Sequence, residues 1–278
     1  MSIRVVTDSS CDLPQSLVDA LRIEIVPLTI RFGDEELVDR EELTADEFWD
    51  RLEHSKDLPE TAAPSAGAFE AKFRSLQERG ASGIVCINLS SHLSATMQAA
   101  QVAAATVAGD ISVQVIDSQS ASMGLGNLCL TAARRAADGD SLESIVNEVV
   151  NRRDRTKLLA TLDTLEFLKR GGRVGNARAL LGTVLAIKPV VELRDGIVEE
   201  AGKVRTRSKA LKLLAAKAAE GKIEHLAVLH GNAPDLEDLL ELLEPVFPRD
   251  DIITGVVGPV IGTHAGPRVI GVTFQVVS

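Results

Sequence analysis

Apolar positions along the chain fall into short runs, each followed by a polar turn and then a longer stretch with helical spacing. Residues 3–7 form the first run, a strand, and Asp12 followed by Pro14 marks the start of a helix ending near Leu21. Residues 23–32 alternate around Pro27 and read as an extended, edge-like strand, closed by the turn Gly33-Asp34-Glu35. Thr44 is placed to cap a helix carrying Phe48, Trp49 and Leu52. Residues 58–65 contain two prolines and read as a loop releasing a helix over 66–79. The next run, with Ile84, Val85, Ile87 and Leu89 behind Gly83, is a buried strand that ends in Ser90, Ser91, Ser94 and Thr96. An Ala-rich helical pattern over 93–108 follows at once. Residues 113–116 give a further strand ending in Asp117-Ser118, then helices over 122–137 and 141–153.

Strands alternating with helices in this way predict βαβ units and a parallel sheet. Three strands end in polar residues, at Thr7-Asp8-Ser9, Leu89-Ser90-Ser91 and Ile116-Asp117-Ser118. Ligands of such sheets bind beyond the carboxyl ends of the strands.

The second half has another texture. Residues 157–161 read as a strand and 165–173 as a short helix ended by glycines, with a cationic tip. Residues 188–200 form a hairpin around Asp195-Gly196. A helix over 208–220 stops at Gly221. A strand over 226–229, a helix opened by Ala233-Pro234-Asp235 and a strand over 252–257 come next. Residues 258–267 read as a glycine- and proline-rich loop around His264, and 269–277 close the chain as a strand. The change of texture puts a domain boundary near Arg155.

Composition narrows the function. The 278 residues are 45% hydrophobic but only 3% aromatic, with no Tyr, so the core is aliphatic. A net charge of −10 without a basic stripe argues against nucleic acid as the main partner. No apolar stretch approaches the roughly 18 residues of a membrane helix, which predicts no integral membrane contact. The chain enters a strand directly, without the shape of a signal peptide. Cys11, Cys86 and Cys129 are an odd set without metal-ligand spacing; Cys86 and Cys129 read as small core residues. A cytoplasmic protein without a metal or cofactor is expected.

Three loops could carry chemistry. A strand entering a helix through hydroxyls offers an anion both backbone N–H groups and the positive end of a helix dipole. The plainer role for Ser90 or Ser91 is to cap that helix, as Thr61 and Ser65 could cap the helix starting at 66. His264, between Gly262 and Gly266, could make only a local hydrogen bond. If the three loops meet at the domain junction, they can donate to a carboxylate or phosphate. A serine hydrolase would instead use His264 as base to Ser94, backed by Asp8 or Asp117. No Gly-x-Ser-x-Gly elbow is present, and Ser91 and His92 are chain neighbours that point apart. Gly124-x-Gly126 lacks the third glycine of a dinucleotide fingerprint. Lys169, Arg170, Arg173 and Arg178 make a small basic patch, either a solvated helix end or a docking point for a partner or phosphate donor.

In order, these segments resemble the DegV family over essentially the whole chain. They are Thr7-Asp8-Ser9, Thr61-Ala-Ala-Pro-Ser65, Leu89-Ser-Ser-His-Leu-Ser-Ala-Thr96, Asp117-Ser118, Leu165–Arg173, Lys188-Pro189 and Gly258–Pro267. The resemblance implies an N-terminal three-layer α/β/α domain with a mainly parallel sheet (1–155) and a C-terminal α/β sandwich domain with a mixed sheet (156–278). It implies a long-chain fatty acid in a buried tunnel. That lipid's carboxylate would be presented to the catalytic subunit of a bacterial fatty acid kinase, which forms an acyl-phosphate with ATP. Carboxylate contacts map onto Thr61, onto Ser94 or then Ser91, and onto His264; Lys169, Arg170 and Arg173 map onto a surface that meets the kinase. Two departures bear on the site: the family's Thr-Ser-Gln-Pro-Ser reads Thr-Ala-Ala-Pro-Ser, and its Ser-Gly-Leu-Ser-Gly-Thr reads Ser-His-Leu-Ser-Ala-Thr. A Ser/His acyl hydrolase and a regulatory binding module for another anionic lipid are the competing readings.

Overall fold

A computed structural model describes residues 2–55, 58–180 and 187–277. Four parallel strands form the first sheet, in the order Glu24–Val26, Ile3–Asp8, Gly83–Asn88, Val113–Asp117. The Gly83–Asn88 strand is buried along its whole length, as expected of a central parallel strand whose residues are apolar up to Asn88. Helices Ala66–Glu78 and Thr96–Thr106 cover one face of this sheet and Ser122–Ala137 with Leu142–Arg153 the other, giving three layers. Buried Asp8 knits the carboxyl rim: it accepts from the N–H of Leu89 at 2.8 Å and from Asn88 Nδ2 at 3.2 Å. All three cysteines are buried and free.

The second sheet has six strands, ordered Ile197–Val204, Lys188–Arg194, Thr156–Thr161, Ile270–Val276, Ile223–His230, Ile253–Val256. It is mixed: only the last pair is parallel. Helices Arg207–Ala218 and Leu236–Leu243 pack on its outer face. Helix Ser122–Ala137 touches its inner face as well as the parallel sheet, so one helix lies between the two. Residues 121–133 of that segment are all buried. A small three-stranded sheet, Glu35–Val38, Thr29–Phe32 and Glu60–Ala62, completes the fold.

Several sequence readings change. The extended strand expected over 23–32 is two, Glu24–Val26 in the parallel sheet and Thr29–Phe32 in the small sheet, with Pro27, which has no amide donor, between them. The expected loop over 58–65 contains a short strand, because Thr61 pairs with Ile30 across an antiparallel ladder. The expected loop over 258–267 is a helix, Pro259–Ala265. Pro259 occupies its first position, where no amide donor is needed, and Gly266 ends it at φ +77°. Gly262 brings the helix backbone against the ring of Trp49, where a Cβ would come within 2.9 Å. Glycines that look like loop residues are here contact residues.

The hairpin tip reaches back to the parallel sheet. Ser90 is fully buried, and its hydroxyl donates to the Gly196 carbonyl at 2.8 Å. Trp49 Nε1 donates to the Val257 carbonyl at 2.9 Å. Asp12 joins three segments: its carboxylate accepts from Ser122 Oγ at 2.6 Å and from the N–H of Gly258 at 3.0 Å. Gly258 precedes the helix that carries His264, so Asp12 helps set the height of that helix.

Burial pushes Asp12 up to about 7, against the hydrogen bond from Ser122 and the charge of Arg40; burial likewise pushes Asp39 up to about 6. An unfolded Asp loses its proton near 3.9, so between about pH 4 and 7 the folded chain holds protons that the unfolded chain has released. Stability from these groups is therefore fully present below pH 4 and is lost as pH rises to 7. Asp12→Asn keeps a side chain that can bond both partners. It should raise stability at pH 8 by on the order of 2 kcal/mol and flatten the pH dependence of the thermal midpoint. An unaltered slope between pH 5 and pH 8 would show that Asp12 titrates like an exposed carboxyl group.

Candidate functional site

A cavity of about 290 Å³ lies between the carboxyl rim of the parallel sheet and the inner face of the six-stranded sheet. Its walls are aliphatic: Leu28, Leu89, Leu158, Leu162, Val191 and Val260 are typical. Two of its hydroxyls, on Ser122 and Thr273, are spent on Asp12 and on the Lys157 carbonyl. The remaining polar side chains are Thr61, Ser94, Arg173 and His264. His264 Nε2 lies 3.0 Å from Thr61 Oγ1, and Arg173 donates from Nε to the Leu93 carbonyl at 3.0 Å, next to Ser94.

Each of these positions has a local cause. Thr61 is held by its strand, between Pro59 and Pro64. Ser94 sits in the tight turn after the central strand, where the N–H groups of Leu93 and Ser94 both bond the Ser90 carbonyl. Its hydroxyl lies 2.8 Å from Thr96 Oγ1. Helix Thr96–Thr106 starts there; its N-cap Ala95 has no capping side chain, and Ser94 Oγ accepts from the Thr96 N–H at 3.3 Å. Neither Ser90 nor Ser91 caps this helix. Ser91 is exposed, and its hydroxyl donates to Asp117 Oδ2 at 2.5 Å; it does not line the cavity. Ala95 lines the cavity at φ −78°, an ordinary conformation that does not require glycine. Ala62 is exposed and off the wall, while Ala63 is on it.

Arg173 belongs to the cavity wall as well as to the basic patch, because its guanidinium folds back to donate to the Leu93 and Gly171 carbonyls. Sequence reasoning placed it on a docking surface only. The Gly171-Gly172 pair before it, with Gly172 at φ +71°, is the signal that the chain doubles back here. The role of Asp12 behind the wall was also missed.

His264 is neutral. Burial, helped by the nearby charge of Arg173, lowers it to about 4. Its Nδ1 is buried without a hydrogen-bond partner. A proton there would be an orphaned donor costing about 1–3 kcal/mol, so the proton belongs on Nε2, donated to Thr61. The Thr61 hydroxyl hydrogen is then free to point at an anion in the cavity. The hydrolase arrangement is not assembled. Asp8 is engaged with Ser10, Asn88 and Leu89, and Asp117 with Ser91 and Gln119, so neither stands behind His264. Among the described residues there is no cluster able to hold a metal ion.

Residues 2–276 match the model of the family described as "Uncharacterised protein, DegV family". The chain belongs to the DegV family. A DegV domain-containing protein of Streptomyces coelicolor is 37% identical over 278 residues, covering 98% of both chains. Among solved structures, a DegV family protein from Thermus thermophilus described as fatty acid binding superposes with a TM-score of 0.91 at 35% identity, covering 100% of both chains. A stearic acid-binding protein from Eubacterium ventriosum superposes with a TM-score of 0.89 at 26% identity, covering 98% of both chains. The DegV architecture of a parallel and a mixed sheet is thus the one this chain adopts.

Gly171 makes room for the imidazole: a Cβ there would overlap His264 Nδ1 and crowd Cε1 at 2.8 Å. Gly171→Ala should push the ring outward and raise its titration midpoint from about 4 toward the ordinary histidine value, read by NMR of the ring. An unmoved midpoint would show that burial of the ring does not depend on this glycine.

Proposed function

We propose that the cavity holds one long-chain fatty acid, with its carboxylate on Thr61 and Ser94 and its tail among the aliphatic walls. The carrying observation is the make-up of the cavity: aliphatic walls, two hydroxyls spent on Asp12 and on the Lys157 carbonyl, and the hydroxyls of Thr61 and Ser94 with Arg173 and a neutral His264 as the other polar side chains. Thr61 and Ser94 donate hydroxyl hydrogens, neutral His264 orients Thr61, and Arg173 supplies charge. A carboxylate so held stays ionised. Burial of the tail contributes roughly 0.8 kcal/mol per methylene, so a long chain gives more than ~10 kcal/mol before the losses of binding. DegV structures that bind fatty acids, including the stearic acid-binding neighbour, support this reading.

The protein on this reading is a carrier without chemistry of its own. It presents the carboxylate to a separate kinase subunit, where a carboxylate oxygen bonds the terminal phosphorus of ATP and ADP leaves. Lys169 and Arg170, exposed at the end of helix Glu166–Arg170, form the docking face. Among the described residues no helix is long and apolar enough to cross a membrane, and we assign the carrier to the cytoplasm, with no cofactor. The boundary between its two domains falls at Arg155, just before the first strand of the mixed sheet.

Native mass spectrometry of protein expressed in bacteria should find one fatty acid per chain. A lipid-free protein that also fails to take up added fatty acid would overturn the proposal. Thr61→Ala, Ser94→Ala and His264→Ala should each weaken retention by about tenfold, the loss of one charge-assisted hydrogen bond. Their thermal midpoints should stay within a few degrees of the parent. Undiminished retention in all three would place the carboxylate elsewhere.

A further inference from the structure

Asp12 stands between two cavities. It lines a pocket of about 350 Å³ with Ser9, Asp39, Arg40 and Thr44, and Thr44 is exposed, so this pocket reaches solvent. Its partner Ser122 lines the lipid cavity on the other side. Its second partner, Gly258, opens the helix that carries His264. A Cβ at Gly258 would come 2.7 Å from Asp12 Oδ1, so the bare backbone makes that contact. One carboxyl group thus joins the solvent side, the cavity wall and the helix bearing His264.

The partners dictate where a proton on Asp12 must sit. Oδ1 faces the Gly258 N–H, which can only donate, while Oδ2 faces the Ser122 hydroxyl, which can also accept. A neutral Asp12 therefore carries its hydrogen on Oδ2 and donates it to Ser122. The hydrogen bond reverses, and the hydrogen of Ser122 swings away from Asp12. Among the described residues no second acceptor receives it, and the direction left is the cavity that Ser122 lines. An outer pocket shares Thr61, Arg173 and His264 with the cavity but not Ser122, so Ser122 lies inward from the proposed carboxylate, beside the tail. A hydroxyl hydrogen aimed at an acyl chain is an unsatisfied donor, whereas water can satisfy it when the cavity holds no lipid.

The charges around Asp12 are few. Burial pushes its carboxyl up to about 7; Arg40 opposes this and Asp39 adds to it. Cys11 is pushed up to about 12 by burial and stays a thiol, and Asp8 acts on Cys11 and Asp39. Glu47 is spent on capping Thr44. His264, the one titratable group of helix Pro259–Ala265, is neutral. On helix Ser122–Ala137 burial keeps Cys129 a thiol, and Arg134 and Arg135 sit at the far end.

We infer that Asp12 is a positioning residue for the lipid: charged, it turns the Ser122 hydroxyl away from the tail and fixes the His264 helix, and filling the cavity expels its proton. The inference rests on the fatty-acid reading and adds a link between lipid loading and pH. Lipid is held best above about pH 7, where Asp12 is charged, and is released more readily as Asp12 takes up a proton below it. This runs opposite to the folding stability from the same group, which grows toward acid.

The test uses the full delipidated chain and parinaric acid, a linear fluorescent fatty acid whose own carboxyl is ionised between pH 6 and pH 8.5. With about a tenfold penalty for the misdirected hydroxyl, binding should be roughly fivefold weaker at pH 6 than at pH 8.5, and about half a proton should leave per lipid bound at pH 6.5. Calorimetry in two buffers of different ionisation enthalpy counts that proton. Asp12→Asn, whose amide nitrogen must donate to Ser122, copies the neutral state. It should bind about tenfold more weakly than the parent at pH 8.5, without a pH step, while its thermal midpoint at that pH rises. A purely structural contact would lose affinity and stability together. Ser122→Gly removes the hydroxyl at a residue of φ +50°, which glycine adopts readily, and should shrink the step below about twofold. Asp39→Asn removes a neighbouring charge and should keep the step with its midpoint moved down. Equal affinity at the two pH values, tighter binding at pH 6, no proton release, a step that persists in Asp12→Asn or Ser122→Gly, or one that vanishes in Asp39→Asn would overturn the inference and leave the fatty-acid reading standing. A parent protein that takes up no parinaric acid at either pH would overturn both.

Discussion

The structure depends on one buried helix. Ser122–Ala137 packs against the parallel sheet on one side and the mixed sheet on the other; its buried part is mostly apolar, with Asn127 donating to the His225 carbonyl and Thr131 to the Asn127 carbonyl. Its glycines permit the two approaches. A Cβ at Gly126 would come within 2.8 Å of the Cys11 carbonyl, on the parallel-sheet side, and one at Gly124 would meet Ser120 and approach Thr273 of the mixed sheet. The helix sets the distance between the sheets. Of its residues only Ser122, with Ala121 before it, reaches the cavity, so the cavity is the space that opens where this spacer begins.

At the polar end, burial governs the chemistry. It keeps His264 neutral and so leaves a donor on Nε2 where a cation would otherwise compete for the ligand. It also holds a proton on Asp12 near neutrality, in a contact that ties the cavity wall to the helix bearing His264. The charge that attracts an anion comes instead from Arg173, which is fixed by two backbone carbonyls. Positioning is thus assigned to neutral groups inside and charge to a residue at the mouth.

Much of this was legible in the sequence because period and punctuation agree locally. The strand ending at Asn88, the Asp195-Gly196 hairpin and the capping of helix Ala45–His54 by Thr44 each follow from short-range rules. Where meaning lay in contacts distant along the chain, local rules failed. Gly258, Gly262 and Gly266 look like loop residues until Asp12 is packed against the first, Phe48 and Trp49 against the second and Phe167 against the third. Four hydroxyls in one turn could not be told apart. Ser90 is claimed by Gly196 and Ser91 by Asp117, and only then is Ser94 left facing the cavity. Thr61 and His264 are 203 residues apart in sequence, and nothing local ties one to the other.

The packing of Trp49 has an optical consequence. The chain has one Trp and no Tyr, so its near-ultraviolet emission comes from a single ring. That ring is bonded to the Val257 carbonyl and lies on the backbone of the helix that carries His264. Intrinsic fluorescence therefore reports on the packing around one ring, and the protein carries a built-in reporter in contact with the helix that bears His264.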